Sequence, residues 1–352
     1  MKNLFLVTLS VLVFVISCDS EKTFDANYNS DSALVNISDN IILPRYNKLL
    51  ADVTLLQEAI NAIPLSGITD AELFTMKSYF TDAYLSWQST TSFIYFGPAD
   101  DHVLIALNSF PTNANKIIIN IEENDFNLES GANTDAIGFP ALDYMLFNST
   151  SENVIEKLKE KNYQNYTIAL IDQIATKINA VTQEWEASYS TKFKNGSGSD
   201  IGSSISLLTN SMIHDFEAGG REAKIGIPAG VRTLNDVLPG NVEAYYSQIS
   251  IALAKKHIIG IKELIEGKNG DSYTTILMQV EKSSISTTIV AQLDSIQSAL
   301  DILNDPFSEA LEQDNLNALE AYKAYQKLLP TFKIDLTAAL GLLISYEDSD
   351  GD

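Results

Sequence analysis

Cysteine, histidine and basic residues are all scarce in this chain of 352 residues. Cys18 is its single cysteine, so no internal disulfide can form. The three histidines, His102, His214 and His257, lie far apart, and none belongs to the H-E-x-x-H sequence of zinc peptidases. The sequence also lacks a glycine-rich phosphate loop and a G-x-S-x-G nucleophile elbow. The common hydrolase and nucleotide-binding signatures are therefore excluded.

Positive charge is the next shortage. The chain has 23 lysines and arginines against 46 acidic residues, which gives a formal net charge of −23 at pH 7. A surface of this sign repels phosphate backbones, so nucleic acid is excluded as a partner, while cations and basic surfaces are compatible with it. The simplest role of such acidity is solubility.

The amino terminus carries the clearest targeting signal. Lys2 precedes an apolar run over residues 4–16, which is shorter than the ~20 residues of a membrane span and typical of a signal-peptide core. The run ends at the lone Cys18 in a lipobox-like sequence, V-I-S-C. We therefore predict a signal peptide at 1–17, a lipid on Cys18, a polar tether over 18–40 and a membrane-anchored lipoprotein of the cell envelope.

Helical periodicity dominates the remaining sequence. Hydrophobic residues make up 45% of the chain, enough for a large core in one large or two medium domains. From residue 41 they recur at spacings of three and four, and no alternating strand pattern of useful length competes. Helices are predicted to end at Gly219-Gly220 and to run over about 241–266, 272–303 and 314–346. The fold class is all-α.

A glycine- and serine-rich stretch, NGSGSD at 195–200, has the composition of a linker. We place a domain boundary at 195–204, between helical bundles at 41–194 and 205–352; a flexible loop within one domain is the alternative. Pro98 and Pro111 in the first half are echoed by Pro228 and Pro239 in the second. This echo favours a duplicated four-helix-bundle-like architecture with a groove between the halves.

The stretch AIGFPALDYMLF, at 136–147, contains the principal candidate site. Proline is tolerated at a first helical position, so Pro140 predicts a helix start and places Asp143 in the first turn. There the carboxylate would be stabilised by free backbone N–H groups and the helix dipole. The alternative is a buried carboxylate that lines a ligand cleft.

The same stretch resembles the signature of the imelysin family of bacterial envelope proteins, Gly-x-His-x-x-Glu at the start of an inner helix. Gly138 is kept, Pro140 replaces the histidine and Asp143 replaces the glutamate. SWQSTTSFIYFGPA, KIGIPAG and the tail KIDLTAALGLLISYEDSDGD are also similar to imelysin-like lipoproteins. The resemblance implies a duplicated helical fold, and it makes histidine and glutamate the proposed metal ligands. Because proline has no ligating atom, only Asp143 is left as a motif ligand.

Charged residues in and beside the glycine-containing segment at 219–230 form a further candidate group. They are Glu217, Arg221 and Lys224, and Arg221 either offsets the carbonyl end of the preceding helix or lies in the groove, where it would pair with Asp143 or hold a carboxylate ligand. We favour the first reading.

Two functional hypotheses follow from the resemblance. The first is a non-catalytic lipid-anchored binding protein, associated with uptake of iron or capture of another ligand or envelope protein. The second is a metallopeptidase with an altered metal site. The sequence specifies no cofactor with certainty and leaves a divalent or iron cation at Asp143 open.

Overall fold

The computed structural model describes residues 28–234 and 236–346, and these contain helices but no β-strand. The predicted all-α class is therefore confirmed. The α-helices are α1 (Asp31–Asn36), α2 (Leu43–Asn61), α3 (Asp70–Gln88), α4 (Pro98–Asp101), α5 (Ala114–Glu123), α6 (Gly138–Phe147), α7 (Ser151–Lys157), α8 (Lys161–Glu184), α9 (Ser190–Lys194), α10 (Ser204–His214), α11 (Ser250–Glu266), α12 (Tyr273–Gln279), α13 (Ser283–Ile302), α14 (Phe307–Gln313), α15 (Leu316–Pro330) and α16 (Thr337–Leu340).

Four π-helical segments extend these helices, at Ile37–Ile42, Trp185–Tyr189, Asp215–Gly226 and Thr331–Leu336. The third, which we call the π segment, continues α10 for 12 residues. The predicted helix end at Gly219-Gly220 is therefore wrong. Gly220 is buried, and a β-carbon at this position would stand only 2.8 Å from Cε1 of His257. Close packing explains this glycine, not helix termination.

Helices α2, α3 and α8 pack together in the first half. Apolar side chains that recur at spacings of three and four along α2 are fully buried: Tyr46, Leu49, Val53, Leu56 and Ile60. Thr69 and Glu72 form a capping box at the start of α3. Asn113 caps α5 by accepting a hydrogen bond from the Lys116 N–H at 3.1 Å. Side-chain caps thus fix the starts of α3 and α5.

Helices α11, α13 and α15 and the π segment pack together in the second half, and α11 also packs on α3. Arg45 of α2 crosses between the halves. Its guanidinium donates to the carbonyl oxygens of Ser89 (3.0 Å) and Gly260 (2.9 Å) and pairs with Glu263 at 2.9 Å. The buried apolar side chains of both halves form one continuous cluster. The division into two bundles stays a prediction, and residues 195–203 form a mostly exposed turn between α9 and α10.

The helical body begins earlier than predicted. The tether was assigned to residues 18–40, but α1 starts at Asp31, and Leu34, Ile37 and Ile41 are fully buried. Asn36 of α1 donates to the carbonyl oxygens of Gly267 (3.0 Å) and Asp271 (2.9 Å) in the second half. The Ser, Asn and Asp content of this stretch concealed a short apolar stripe. Residues 1–27, which include Cys18 and the predicted signal peptide, lie outside the described residues, as do residues 347–352.

Two further helix predictions are corrected in the second half. A short 3-10 helix ends at Asn241, residues 242–249 are irregular, and α11 begins only at Ser250. The predicted helix over 272–303 is interrupted between α12 and α13, where Glu281 adopts a left-handed φ of 59°. α15 ends at Pro330, and the helix continues directly in the π-helical segment Thr331–Leu336. In the described part of the chain, no helix combines the length and apolarity that crossing a membrane requires.

Candidate ligand site at the start of helix α6

Gly138 begins α6 in a conformation that favours glycine. Its φ is +72°, and a β-carbon would stand 2.1 Å from the carbonyl oxygen of Leu107. The structure places the start of α6 at Gly138, two residues before the start that was predicted at Pro140. Pro140 is its third residue, where the missing N–H would have no intrahelical partner in any case. Gly138 therefore allows the close contact with the Leu107 backbone, and Pro140 is tolerated because it lies in the first turn of α6.

Asp143 lies in the second turn of α6, so its predicted place in the first turn is wrong. Its carboxylate is buried and accepts hydrogen bonds from the backbone N–H groups of Tyr246 and Ser247, each at 2.9 Å. Burial raises the pKa of Asp143 to about 7, although the hydrogen bonds from Ser247 and Tyr246 oppose the shift. The Asp143 carboxyl group thus stabilises a turn that is distant in sequence, and it does not cap the start of α6.

That turn has a strained backbone. Ala244 and Gln248 both adopt left-handed φ values, 53° and 61°, and the Gln248 N–H donates to the Ala244 carbonyl oxygen at 2.9 Å. Non-glycine residues in this region each cost about 1 kcal/mol or more, so the surrounding structure must hold them there. Asp143 does so from one side. On the other, the Ser250 hydroxyl donates to the Glu243 carbonyl oxygen.

A partly open cavity of about 170 Å³ lies between α6 and this turn. Its wall combines aromatic rings, prolines and a single carboxyl group. The lining residues are Phe110, Pro111, Thr112, Pro140, Asp143, Gly240, Val242 and residues 244–246. Of the predicted site residues, Pro140 and Asp143 therefore line one cavity, whereas Gly138 shapes the helix start beside it.

Lys224 lies behind the cavity wall. It pairs with Glu243, which is buried and also accepts hydrogen bonds from the side-chain amides of Gln88 and Asn108, each at 2.8 Å. Lys224 Nζ lies 6.0 Å from the ring centroid of Phe110. Because its charge is matched by Glu243, Lys224 stabilises the base of the turn through a buried ion pair.

Glu217 and Arg221 belong to a different network. Arg221 is buried and pairs with Glu217 at 3.1 Å and with Glu222 at 2.8 Å. Glu217 also pairs with Lys333 at 2.7 Å and accepts a hydrogen bond from the Tyr346 hydroxyl at 3.2 Å. These contacts tie the π segment to Lys333 and Tyr346. Arg221 therefore acts through internal pairs, and the favoured reading, in which it offsets a helix end at Gly220, is wrong because the helix continues past it.

A buried Asp215–His257 pair was not predicted from the sequence. His257 Nε2 lies 2.7 Å from Asp215 Oδ2, which also accepts hydrogen bonds from Thr91 (2.9 Å) and Ser92 (3.2 Å). Burial tends to raise the pKa of Asp215, but His257 and the hydroxyl donor hold it below its usual range. The available signal was the position of His257 on the apolar face of α11, in line with Leu253 and Ile261.

The residues of the motif do not fit a metal ion. Pro140 offers no ligand, both oxygens of Asp143 accept backbone N–H groups, and the neighbouring Glu243 is paired with Lys224. Across residues 28–234 and 236–346, no group of three or more His, Cys, Asp or Glu side chains is arranged to hold a metal. Catalytic zinc usually needs three protein ligands.

Two solved structures share this fold. An imelysin-like protein from Psychrobacter arcticum 273-4 has a TM-score of 0.68 at 15% identity, covering 89% of this chain and 96% of that one. A putative iron-regulated protein A precursor from Parabacteroides distasonis ATCC 8503 has a TM-score of 0.72 at 17% identity, covering 88% of this chain and 94% of that one. The helical architecture is thus that of imelysin-like proteins.

The family itself follows from the sequence match. The model of the imelysin family (Peptidase_M75) matches residues 42–331, most of the chain. The chain belongs to the imelysin family, as its resemblance to the G-x-H-x-x-E signature implied. No curated protein matches it.

Proposed function

We propose that this chain is a non-catalytic, lipid-anchored binding protein of the cell envelope, with its ligand site in the cavity beside Asp143. One observation carries the proposal: the motif carboxylate is engaged by the N–H groups of Tyr246 and Ser247, and it shapes a cavity wall. A ligand pocket needs such a supported wall. A hydrolytic metal centre usually needs three protein ligands, and among Gly138, Pro140 and Asp143 only Asp143 has a side chain that can ligate a metal.

The envelope location and the link to iron rest on the family and on sequence. The Parabacteroides relative is described as an iron-regulated protein precursor, which supports an exported protein connected with iron acquisition. Cys18 supplies the proposed lipid attachment. Because the motif residues do not fit a bare ion, the proposed ligand is a molecule or an envelope protein.

The proposal is tested by the metal content and proteolytic activity of the purified chain from residue 18 onward, before and after chelation. We expect no stoichiometric metal and no cleavage of casein. One equivalent of zinc or iron that disappears in Asp143→Ala, together with peptide cleavage, would establish the metallopeptidase instead.

Asp305→Ala is the matched control for that variant. Asp305 also accepts two backbone N–H groups, from Ile251 at 3.0 Å and Ala252 at 3.2 Å, but it does not line the cavity. A metal lost from both variants would reflect general destabilisation, and a metal lost only from Asp143→Ala would locate the ion at the motif. In both cases, a metal bound stoichiometrically to the unmodified chain would contradict the proposal.

A further inference from the structure

The cavity has one charge-bearing side chain and an aromatic wall. Asp143 supplies the carboxyl group, and Phe110, Tyr245 and Tyr246 supply the rings. Tyr246 packs edge to face against Tyr245 and against Tyr144, which lies outside the lining: its ring centroid is 5.1 Å from each, at interplanar angles of 87° and 80°. Such mutual packing fixes the rings as a preformed surface.

The charge of the wall selects the sign of the ligand. Lys224 and Glu243 neutralise each other behind the cavity, so Asp143 sets the local charge. A buried carboxylate and aromatic faces both attract cations, and they repel carboxylates and phosphates. An anionic ligand is therefore disfavoured.

The size of the cavity restricts the ligand further. Its volume of about 170 Å³ is close to that of the ~150 Å³ engineered cavity that holds benzene. A group of a few carbon atoms around one nitrogen fills such a space, whereas a metal chelate or a porphyrin does not.

Hydrogen-bonding capacity then separates the kinds of ammonium. Each oxygen of Asp143 already accepts a backbone N–H, and the Thr112 hydroxyl donates to the Asp135 carbonyl oxygen at 3.0 Å. A primary ammonium brings three donors that each need an acceptor once buried. A quaternary ammonium brings none, and aromatic faces bind it through cation–π attraction.

We propose that this cavity binds a quaternary ammonium group, held between the rings of Phe110, Tyr245 and Tyr246 and the carboxylate of Asp143. The inference rests on the proposed function only in that the cavity is taken as the ligand site. The group is carried by free molecules such as choline and by the headgroup of phosphatidylcholine.

Calorimetric titration of the chain from residue 18 onward tests the inference at about pH 8.5, where Asp143, with its pKa of about 7, is ionised. Choline is compared with 3,3-dimethylbutan-1-ol, which has the same shape and no charge, and with ethanolamine, a primary ammonium. We expect choline to bind about tenfold more tightly than either, the size of one buried cation–π contact. Equal binding of choline and its neutral isostere, or no binding of choline, would overturn the proposal.

Two variants locate the site. Asp143→Asn removes the charge, and Tyr246→Leu removes a ring while leaving the carboxylate; each should weaken choline binding about tenfold or more and leave the neutral isostere less affected. Asp305→Asn, away from the cavity, should bind choline as the unmodified chain does. Unchanged choline affinity in both cavity variants would place the binding elsewhere and contradict the inference.

The two sources of the group are separated with vesicles. The chain from residue 18 onward, without its lipid, is floated with phosphatidylcholine vesicles and with phosphatidylglycerol vesicles. Selective binding to the first, blocked by choline, identifies the headgroup; choline binding without flotation identifies a free molecule. Both outcomes support the ammonium site. Failure of choline to bind a metal-free chain would reject this inference and leave the proposed function standing, whereas a stoichiometric metal would reject the proposed function.

Discussion

Asp143 is a carboxyl group that the fold keeps out of water, and its protonation must therefore be linked to stability. Its pKa is about 7 in the folded chain against 3.8 for an ordinary carboxyl. Between these values the unfolded chain has lost the proton and the folded chain retains it. The free energy of unfolding should accordingly fall as pH rises through this window, by up to roughly 4 kcal/mol, and level off above pH 7.

Asp143→Asn should remove this contribution. We expect the variant to lose less stability than the unmodified chain between pH 5 and pH 7.5, measured by urea unfolding at several pH values. Asp301→Asn is the control, because Asp301 is exposed and its pKa is lowered by its hydrogen bond with Lys255, so it titrates below this range. Parallel pH profiles for Asp143→Asn and the unmodified chain would contradict the assigned pKa.

Gly138→Ala should be strongly destabilising. A β-carbon at Gly138 meets the Leu107 carbonyl at 2.1 Å and forces a left-handed φ on alanine, so a loss of about 3 kcal/mol or more is expected. Gly131→Ala is the control, since a β-carbon there has no atom within 4 Å. Urea unfolding of both variants measures the difference. Equal stabilities would mean that the contact with Leu107 relaxes easily.

At this scale the sequence predicted the motif residues but not their partners. Gly138, Pro140 and Asp143 are recognisable because they are close in sequence and match a spacing. Tyr246 and Ser247 lie about 100 residues further on, in a turn without periodicity. The hydrogen bonds that define the role of Asp143 could not be inferred from either stretch alone.

Among the elements, the π segment contains several buried charged side chains, including Lys224. Lys224→Met should leave Glu243 buried without its cation, at a cost of about 3–5 kcal/mol. Glu243→Gln in addition should recover part of that loss, because the amide removes the unpaired charge. A double-mutant cycle from urea unfolding measures the coupling.

Lys323→Met provides the comparison for that cycle. Lys323 forms an exposed pair with Glu320 on α15, and its loss should cost less than about 1 kcal/mol. Similar losses in the free energy of unfolding for the two lysine variants would show that the Lys224–Glu243 pair stabilises the fold no more than an exposed pair does.

Helices were predictable where stripe and cap agreed. The apolar stripes of α2 and α3 and the capping box at Thr69 appear in the structure. The failures arose where tertiary contacts outweigh local preference. Glycines that resemble a helix end lie inside the π segment, and residues 241–249 have helical composition but are held in a turn by Asp143.

For the whole molecule, we predict that proteolysis begins at the predicted boundary, residues 195–204. Limited digestion should cut first in this mostly exposed turn, giving two helical fragments. Because Arg45 and Asn36 bind across the halves and the apolar core is continuous, the fragments should remain associated in gel filtration. A first cut elsewhere would argue against a boundary here, and separated fragments would mean that these cross-contacts are weak.

Attachment to the membrane is tested by Cys18→Ala in the full-length chain expressed in its native compartment. We expect the variant to appear as soluble or unprocessed protein, because the lipid is the proposed attachment. Fractionation and the mass of the mature chain provide the measurement. A processed chain that stays in the membrane fraction without Cys18 would show that another attachment exists.

The early helix α1 has a mechanical consequence for the proposed lipid attachment at Cys18. Asn29 exchanges two hydrogen bonds with the Gln279 side chain, at 2.8 and 3.0 Å, and Asn36 binds the carbonyls of Gly267 and Asp271. Tension on a leash attached at Cys18 would therefore enter the body at the α11–α12 corner as well as at α2. Both halves would share the load, and the corner that carries residues 267–279 would face the bilayer whenever the leash is drawn taut.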